Sequence, residues 1–189
     1  MAGKFINSTL CYIEKDGCYL MLYRNKKPDD PCEGKWVGVG GKFEPGEDRD
    51  TCLLREVREE TGLVLTRFRF RGVVHFVSDT WPDEDMHLYT ADGFDGKDCF
   101  RHMDNLPGGY ERESGFNPER DPDNTVTDLQ SESFDCDEGE LCWIPKENVL
   151  KLNLWEGDKY FLQPLLEGQE KIEMTCRYEG HSCVEVHCN

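Results

Sequence analysis

Gly41-Lys42-Phe43-Glu44-Pro45-Gly46-Glu47-Asp48-Arg49-Asp50-Thr51-Cys52-Leu53-Leu54-Arg55-Glu56-Val57-Arg58-Glu59-Glu60-Thr61-Gly62-Leu63 is the stretch on which the fold turns. Glu44-Pro45-Gly46 carries a type II turn signature, proline presetting φ at the first central position and glycine supplying the positive φ of the second. Over residues 47–61 acids fill the first turn and Gly62 stands where a helix stops, so the stretch reads as loop, helix, loop. Glu56 has Glu59 and Glu60 at the offsets that share a helical face, beside an apolar arc of Leu53, Leu54 and Val57. Carboxylates so close repel and raise one another's pKa, a conflict that a hard divalent cation relieves. The plain alternative is an exposed helix with ordinary ion pairs, Arg55 and Glu59 among them.

Upstream, residues 5–13 and 18–23 carry apolar residues on either side of Asp16-Gly17, a strong hairpin signal. A polar stretch at 25–35 leads into Trp36-Val37-Gly38-Val39-Gly40-Gly41, a short strand becoming a tight turn. Downstream, 63–77 and 86–91 are strand-like; Arg67, Arg69 and Arg71, alternating with Phe68, Phe70 and Gly72, give the first of them one wet face. Residues 92–133 hold Asp, Gly, Pro, Asn and Glu throughout with no sustained apolar period, and read as a long acidic insertion loop. Beyond it the pattern predicts a strand at 140–144, a turn or short helix at 145–150, a helix at 158–166, and a hairpin of 171–178 with 182–187.

A length of 189 residues leaves room for one domain, 1–189, with that insertion. Hydrophobic residues are 37% and, with 18 glycines, suffice for a core. No run approaches the roughly 20 apolar residues that span a bilayer, and the opening Met-Ala-Gly-Lys-Phe lacks a signal-peptide apolar region, so a cytoplasmic protein is expected. A net charge of −17 repels long nucleic acids, but not a small phosphorylated substrate whose charge a divalent cation offsets. Ten cysteines include no Cys-x-x-Cys pair and read as reduced thiols. In the tail, His181, Cys183, Glu185 and His187 share a strand face by the period of two, an arrangement suited to no more than adventitious metal binding.

Gly41, five residues, Glu47, seven residues, Arg55-Glu56-Val57, one residue, Glu59-Glu60, one residue, Gly62-Leu63 fill every fixed position of the Nudix box, and the chain resembles the Nudix hydrolase superfamily. The resemblance implies an α/β fold, an α/β/α sandwich around a central mixed sheet, and hydrolysis of a nucleoside diphosphate linked to another group. Asn25-Lys26-Lys27-Pro28, residues 33–42, Asp135-Cys136-Asp137-Glu138-Gly139 and Trp155-Glu156-Gly157-Asp158 are similar to the MutT-like 8-oxo-dGTP diphosphatases of Gram-positive bacteria, and more distantly to animal oxidised-purine triphosphatases.

That resemblance implies Mg2+ or Mn2+ held by Glu56, Glu59, Glu60 and the Gly40 carbonyl, with Glu138 brought from a distant loop or left as a solvated acid. Glu47 and Arg55 would pair to fix loop to helix. Glu56 would be either general base or purely a ligand as water attacks a phosphorus, releasing nucleoside monophosphate and pyrophosphate in nucleotide-pool sanitation. Trp155 either stacks on a purine or packs in the core, and Asp158 would meet the base edge. Arg24 and Lys42 either touch phosphates or are solvated strand-end cations. Val37 stands where the animal enzymes carry a base-reading asparagine, and Gly157 where they carry one of two adjacent aspartates. His75, His87 and His102 read as packing or surface residues. Two other readings stay open: a Nudix pyrophosphatase for ADP-ribose, a nucleotide sugar or a dinucleotide, and a non-catalytic nucleotide-binding module.

Overall fold

Asp16 and Gly17 adopt φ values of 50° and 77°, the pair of positive angles that closes a two-residue hairpin, and this turn joins β1 (Ile6–Lys15) to β2 (Cys18–Arg24). The computed structural model describes residues 5–103 and 134–188. From the hairpin the sheet grows both ways. On one side β1 runs parallel to β5 (Glu84–Asp95), which pairs antiparallel with β4 (Val64–Ser78); β4 lies parallel to β8 (Ile172–Glu179), and β9 (Ser182–Cys188) closes that edge. On the other side β2 pairs with β7 (Gly139–Pro145), which carries the short β6 (Arg101–His102), while β3 (Trp36–Val37) adds to β2.

The helix α1 (Arg49–Thr61) begins later than the acid pattern suggests, because the Asp48 side chain caps it by accepting from the Thr51 N–H at 2.8 Å and leaves Glu47 in the loop. Gly62, at φ 71°, ends it in the left-handed conformation. Leu53 and Val57 are fully buried against Cys11, Leu20, Leu22, Val39, Tyr89 and Trp143. Burial of such side chains contributes about 1.5–3 kcal/mol each. On the opposite face α3 (Asp158–Leu166) buries Phe161, Leu162 and Leu165 against Tyr12, Met21, Leu88, Ile144 and Met174. Helix, mixed sheet and helix thus form the expected three layers. The short α2 (Lys146–Val149) follows β7.

The reading of 92–133 as loop is corrected at its start. β5 continues to Asp95 because Phe94 stacks on Trp143 and Asp92 pairs with Arg67, and β6 forms within the same segment. Asp98 ties the connection down, accepting from Lys15 at 2.6 Å and from the Trp143 indole at 2.9 Å. The remainder of the assigned insertion, 104–133, lies outside the described residues. The wet-face alternation of β4 is also interrupted: register shifts fall at Leu65/Arg67, Arg67/Phe68 and Phe70/Gly72, and the Arg49 guanidinium covers the exposed Phe70 ring at 4.0 Å. None of the ten cysteines forms a disulfide among the described residues. No helix among the described residues is long and apolar enough to cross a membrane.

Candidate active site

The loop before α1 is pinned to β1 by backbone bonds between Val39 and Cys11 and from the Thr9 N–H to the Gly41 carbonyl. Glycine is required by close approach: a Cβ on Gly40 would stand 2.2 Å from the Thr9 carbonyl oxygen, and one on Gly41 would stand 2.4 Å from the Glu56 carboxylate. The loop therefore lies against α1 with the Glu56 and Glu60 side chains beneath it. The Gly40 N–H donates to Glu60 at 2.9 Å, and this amide bond is the contact seen at Gly40.

Arg55 gathers the acids around it. Its guanidinium donates to both Glu47 oxygens at 2.7 and 2.9 Å, to Glu56 at 2.8 Å, to Glu59 at 3.1 Å and to the Lys42 carbonyl at 3.1 Å. The fork holds the Glu47 carboxyl at about 2, with help from the Glu44 N–H. Glu59 is largely exposed. Half-buried Glu56 is pushed up by burial despite Arg55. Glu60, 6% exposed, is raised well above the ordinary carboxylate range, first by burial and then by Glu138. Glu138 reaches the site from the turn before β7. Burial pushes it up, but Lys27, Glu60 and Arg24 outweigh that and leave it lowered.

Crowded carboxyl oxygens, two of them on Glu56 and Glu60 with the anion disfavoured by burial, suit a hard divalent cation. Glu56, Glu60 and Glu138 are the donors that fit it, with exposed Glu59 at the rim. As they stand, no three His, Cys, Asp or Glu side chains among the described residues form a group that could hold a metal ion; Glu56 is turned to Arg55 and Glu138 to Arg24 and Lys27, while Glu60 accepts from the Gly40 N–H. Arg24 is committed to Asp30 at 2.7 Å and to Glu138. Lys42 is exposed at the edge of the loop.

Trp155 and Asp158 sit together at the start of α3, on the other face of the sheet. Trp155 donates from its indole to the Cys32 sulfur at 3.4 Å, and the Lys35 ammonium lies 5.4 Å from its ring centroid. Asp158 is 7% exposed, and burial pushes its carboxyl up to about 7, with Lys35 opposing. Val37 does not join them: by alternation in β3 its neighbour Trp36 takes the α3 face while Val37 packs with the α1-side core. The loop 24–36 links the two centres, because Arg24 and Lys27 hold Glu138 while Cys32 and Lys35 hold Trp155.

Lys27, Asp30, Cys32 and Lys35 were not legible as site residues, since nothing in their spacing marks them. Trp81, Tyr178 and His181 also surround Trp155. His181 is thereby drawn away from the tail's metal pattern, and His187 pairs with Glu185 at 2.8 Å. His75 pairs with Asp85, His87 contacts Asn7 and Phe43, and His102 stacks on Trp143.

The NUDIX domain family matches residues 6–165. An uncharacterized Nudix hydrolase of Bacillus subtilis, YvcI, is 26% identical over 178 residues, covering 90% of this chain and 85% of that protein. The CTP pyrophosphohydrolase of Escherichia coli is 40% identical over 63 residues, 33% of this chain and 45% of that one. The oxidized purine nucleoside triphosphate hydrolase of Danio rerio is 35% identical over 66 residues, 34% of this chain and 42% of that one. The chain thus matches under half the length of these two named enzymes. In fold it is similar to the MutT protein from Bacillus halodurans, with a TM-score of 0.69, 21% identity and 97% of both chains covered. With the box residues gathered between loop and helix and the family matched from β1 into α3, the chain belongs to the Nudix family and is a hydrolase of nucleotide-like substrates.

Proposed function

We propose that the chain hydrolyses nucleoside triphosphates to monophosphate and pyrophosphate in the cytoplasm, with 8-oxo-dGTP or related oxidised purine nucleotides as substrates. The observation that carries this is Asp158, buried beside Trp155 with its carboxyl pushed up to about 7. Near neutral pH such a carboxyl is present both as donor and as acceptor. Oxidation at C8 converts the purine N7 from acceptor to donor, so a reader of both kinds suits the oxidised edge. Trp155 supplies the stacking plane. The name of the Danio rerio relative supports the purine reading, and that of the Escherichia coli relative favours a pyrimidine.

Nudix hydrolases generally use divalent ions such as Mg2+, and here Glu56, Glu59, Glu60 and Glu138 would hold Mg2+ or Mn2+. Bound there, the ion supplies charge neutralisation on the phosphates and acidifies water. Arg55 orients Glu56 and Glu59 by direct bonds, and the Gly40 N–H orients Glu60. Glu56, raised by burial, either orients the attacking water or takes its proton, or serves purely as a ligand. The nucleotide-binding residues are Trp155 and Asp158, with exposed Lys42 available to phosphate. Asp158→Ala, which removes both the donor and the acceptor, tests the base reading: the kcat/KM ratio of 8-oxo-dGTP over dGTP falls about tenfold or more. An unchanged ratio would remove Asp158 from the pocket.

A further inference from the structure

Trp155 is enclosed by rings from two turns far away in sequence. Trp81, between β4 and β5, meets it edge-on with centroids 5.9 Å apart; Tyr178 of β8 does the same at 6.0 Å. His181, at the β8–β9 turn, lies parallel to it within 5° at 5.9 Å, and Trp81 stands across His181 at 5.1 Å. His181 is exposed and Trp81 and Trp155 only partly buried, so burial alone does not account for their ordering.

Polar bonds fasten the same hairpin to the turns that carry Trp155 and Trp81. The Cys183 N–H donates to Glu156 at 3.0 Å, the Gly180 N–H donates to Asp79 at 2.9 Å, and the Gly157 N–H donates to the Tyr178 hydroxyl at 2.7 Å. A Cβ at Gly157 would lie 2.5 Å from that hydroxyl. Tyr178 thus fills the space a side chain at 157 would take. The family match ends at residue 165, so the Tyr178 and His181 parts of this buttress lie beyond it, while Trp81 lies within it.

We propose that Trp81 and His181 are positioning residues that fix the plane of the Trp155 indole, and that through them the β8–β9 hairpin sets the base selectivity of the pocket, favouring the larger purine face. The inference rests on the proposed function, in which Trp155 stacks on the base. Three flanking rings, one parallel and two perpendicular, oppose rotation of the indole about either side-chain torsion. A larger base overlaps a fixed plane over more of its area than a pyrimidine does, so loosening the plane costs purine binding more.

Steady-state kinetics with 8-oxo-dGTP and CTP on the full chain, for wild type, Trp155→Ala, Trp81→Ala, His181→Ala and His181→Phe, test this. His181→Ala and Trp81→Ala raise KM for 8-oxo-dGTP about three- to tenfold, with smaller changes in kcat and in KM for CTP, and His181→Phe restores the wild-type KM ratio. If Trp155→Ala collapses the ratio while Trp81→Ala and His181→Ala leave it intact, the positioning role is wrong and the stacking role of Trp155 stands. If Trp155→Ala itself leaves the ratio unchanged, both fall. Should His181→Ala fail to fold, a wild-type ratio in His181→Phe upholds the role of the ring, and an altered ratio in that folded variant overturns it.

Discussion

Gly41 and Glu56 meet where residue 41 admits no side chain: a Cβ there would stand 2.4 Å from the Glu56 carboxylate. The obstructing group is the end of a flexible side chain, so the fold absorbs Gly41→Ala by moving the carboxylate. Expected is a variant that melts within a few degrees of wild type yet loses about tenfold or more in kcat, because a ligand or base displaced by an ångström loses its alignment. Thermal melts beside single-substrate kinetics check this. A variant with full kcat would show that the Glu56 position is not used.

Arg55 satisfies Glu47, Glu56 and Glu59 at once through a planar fork that an ammonium cannot reproduce. Arg55→Lys therefore lowers kcat by about two orders of magnitude while the far-UV circular dichroism stays that of the native fold. Wild-type turnover in this variant would mean that the charge alone suffices.

Glu60 is buried and held above the ordinary carboxylate range by burial and by Glu138. An ion that binds only the folded chain raises its stability by linkage. Mg2+ or Mn2+ should raise the melting temperature of wild type and do so little or not at all for Glu60→Gln. In EDTA that variant should be at least as stable as wild type, since it removes an unfavourable buried acid, while its activity is lost. Differential scanning fluorimetry with and without metal distinguishes these outcomes.

Asp158 supplies a pH dependence of definite sign. Its folded pKa is raised from 3.8 to about 7, so the folded state holds the proton more tightly than the unfolded chain. The resulting stability is fully present below the unfolded value and is lost as pH climbs toward 7, by on the order of a few kcal/mol. Urea unfolding at pH 5 and pH 8 should show wild type weakening across this window, with Asp158→Asn flatter. Equal slopes for the two would mean that Asp158 is ionised at pH 5.

Much of this architecture was legible before any coordinates. Asp16-Gly17 announced the hairpin and Gly62 the end of α1, because each obeys a local backbone rule. The placing of Glu56, Glu59 and Glu60 on one helix was legible for the same reason, helical periodicity. The start of α1 is not legible in the sequence because acids suit both a cap and a first turn, and only the Asp48 bond to Thr51 decides between them. The strand character of 92–95 was hidden because Gly93 and Asp92 lack β propensity, and tertiary contacts of Phe94 and Arg67 override it. Lys27 and Asp30 reach the Glu138 side, and Trp81 and His181 reach Trp155, only through loops closed by distant pairings, which no spacing encodes.

The most direct measurement is the rate of nucleoside monophosphate formation, with Mg2+, from 8-oxo-dGTP, dGTP, CTP and ADP-ribose at equal low concentration. The account predicts kcat/KM for 8-oxo-dGTP about tenfold or more above each of the others, and loss of all turnover in Glu60→Gln. Preference for CTP or ADP-ribose would contradict it, leaving the Nudix chemistry in place and removing the reading of Trp155 and Asp158 as the site of an oxidised purine.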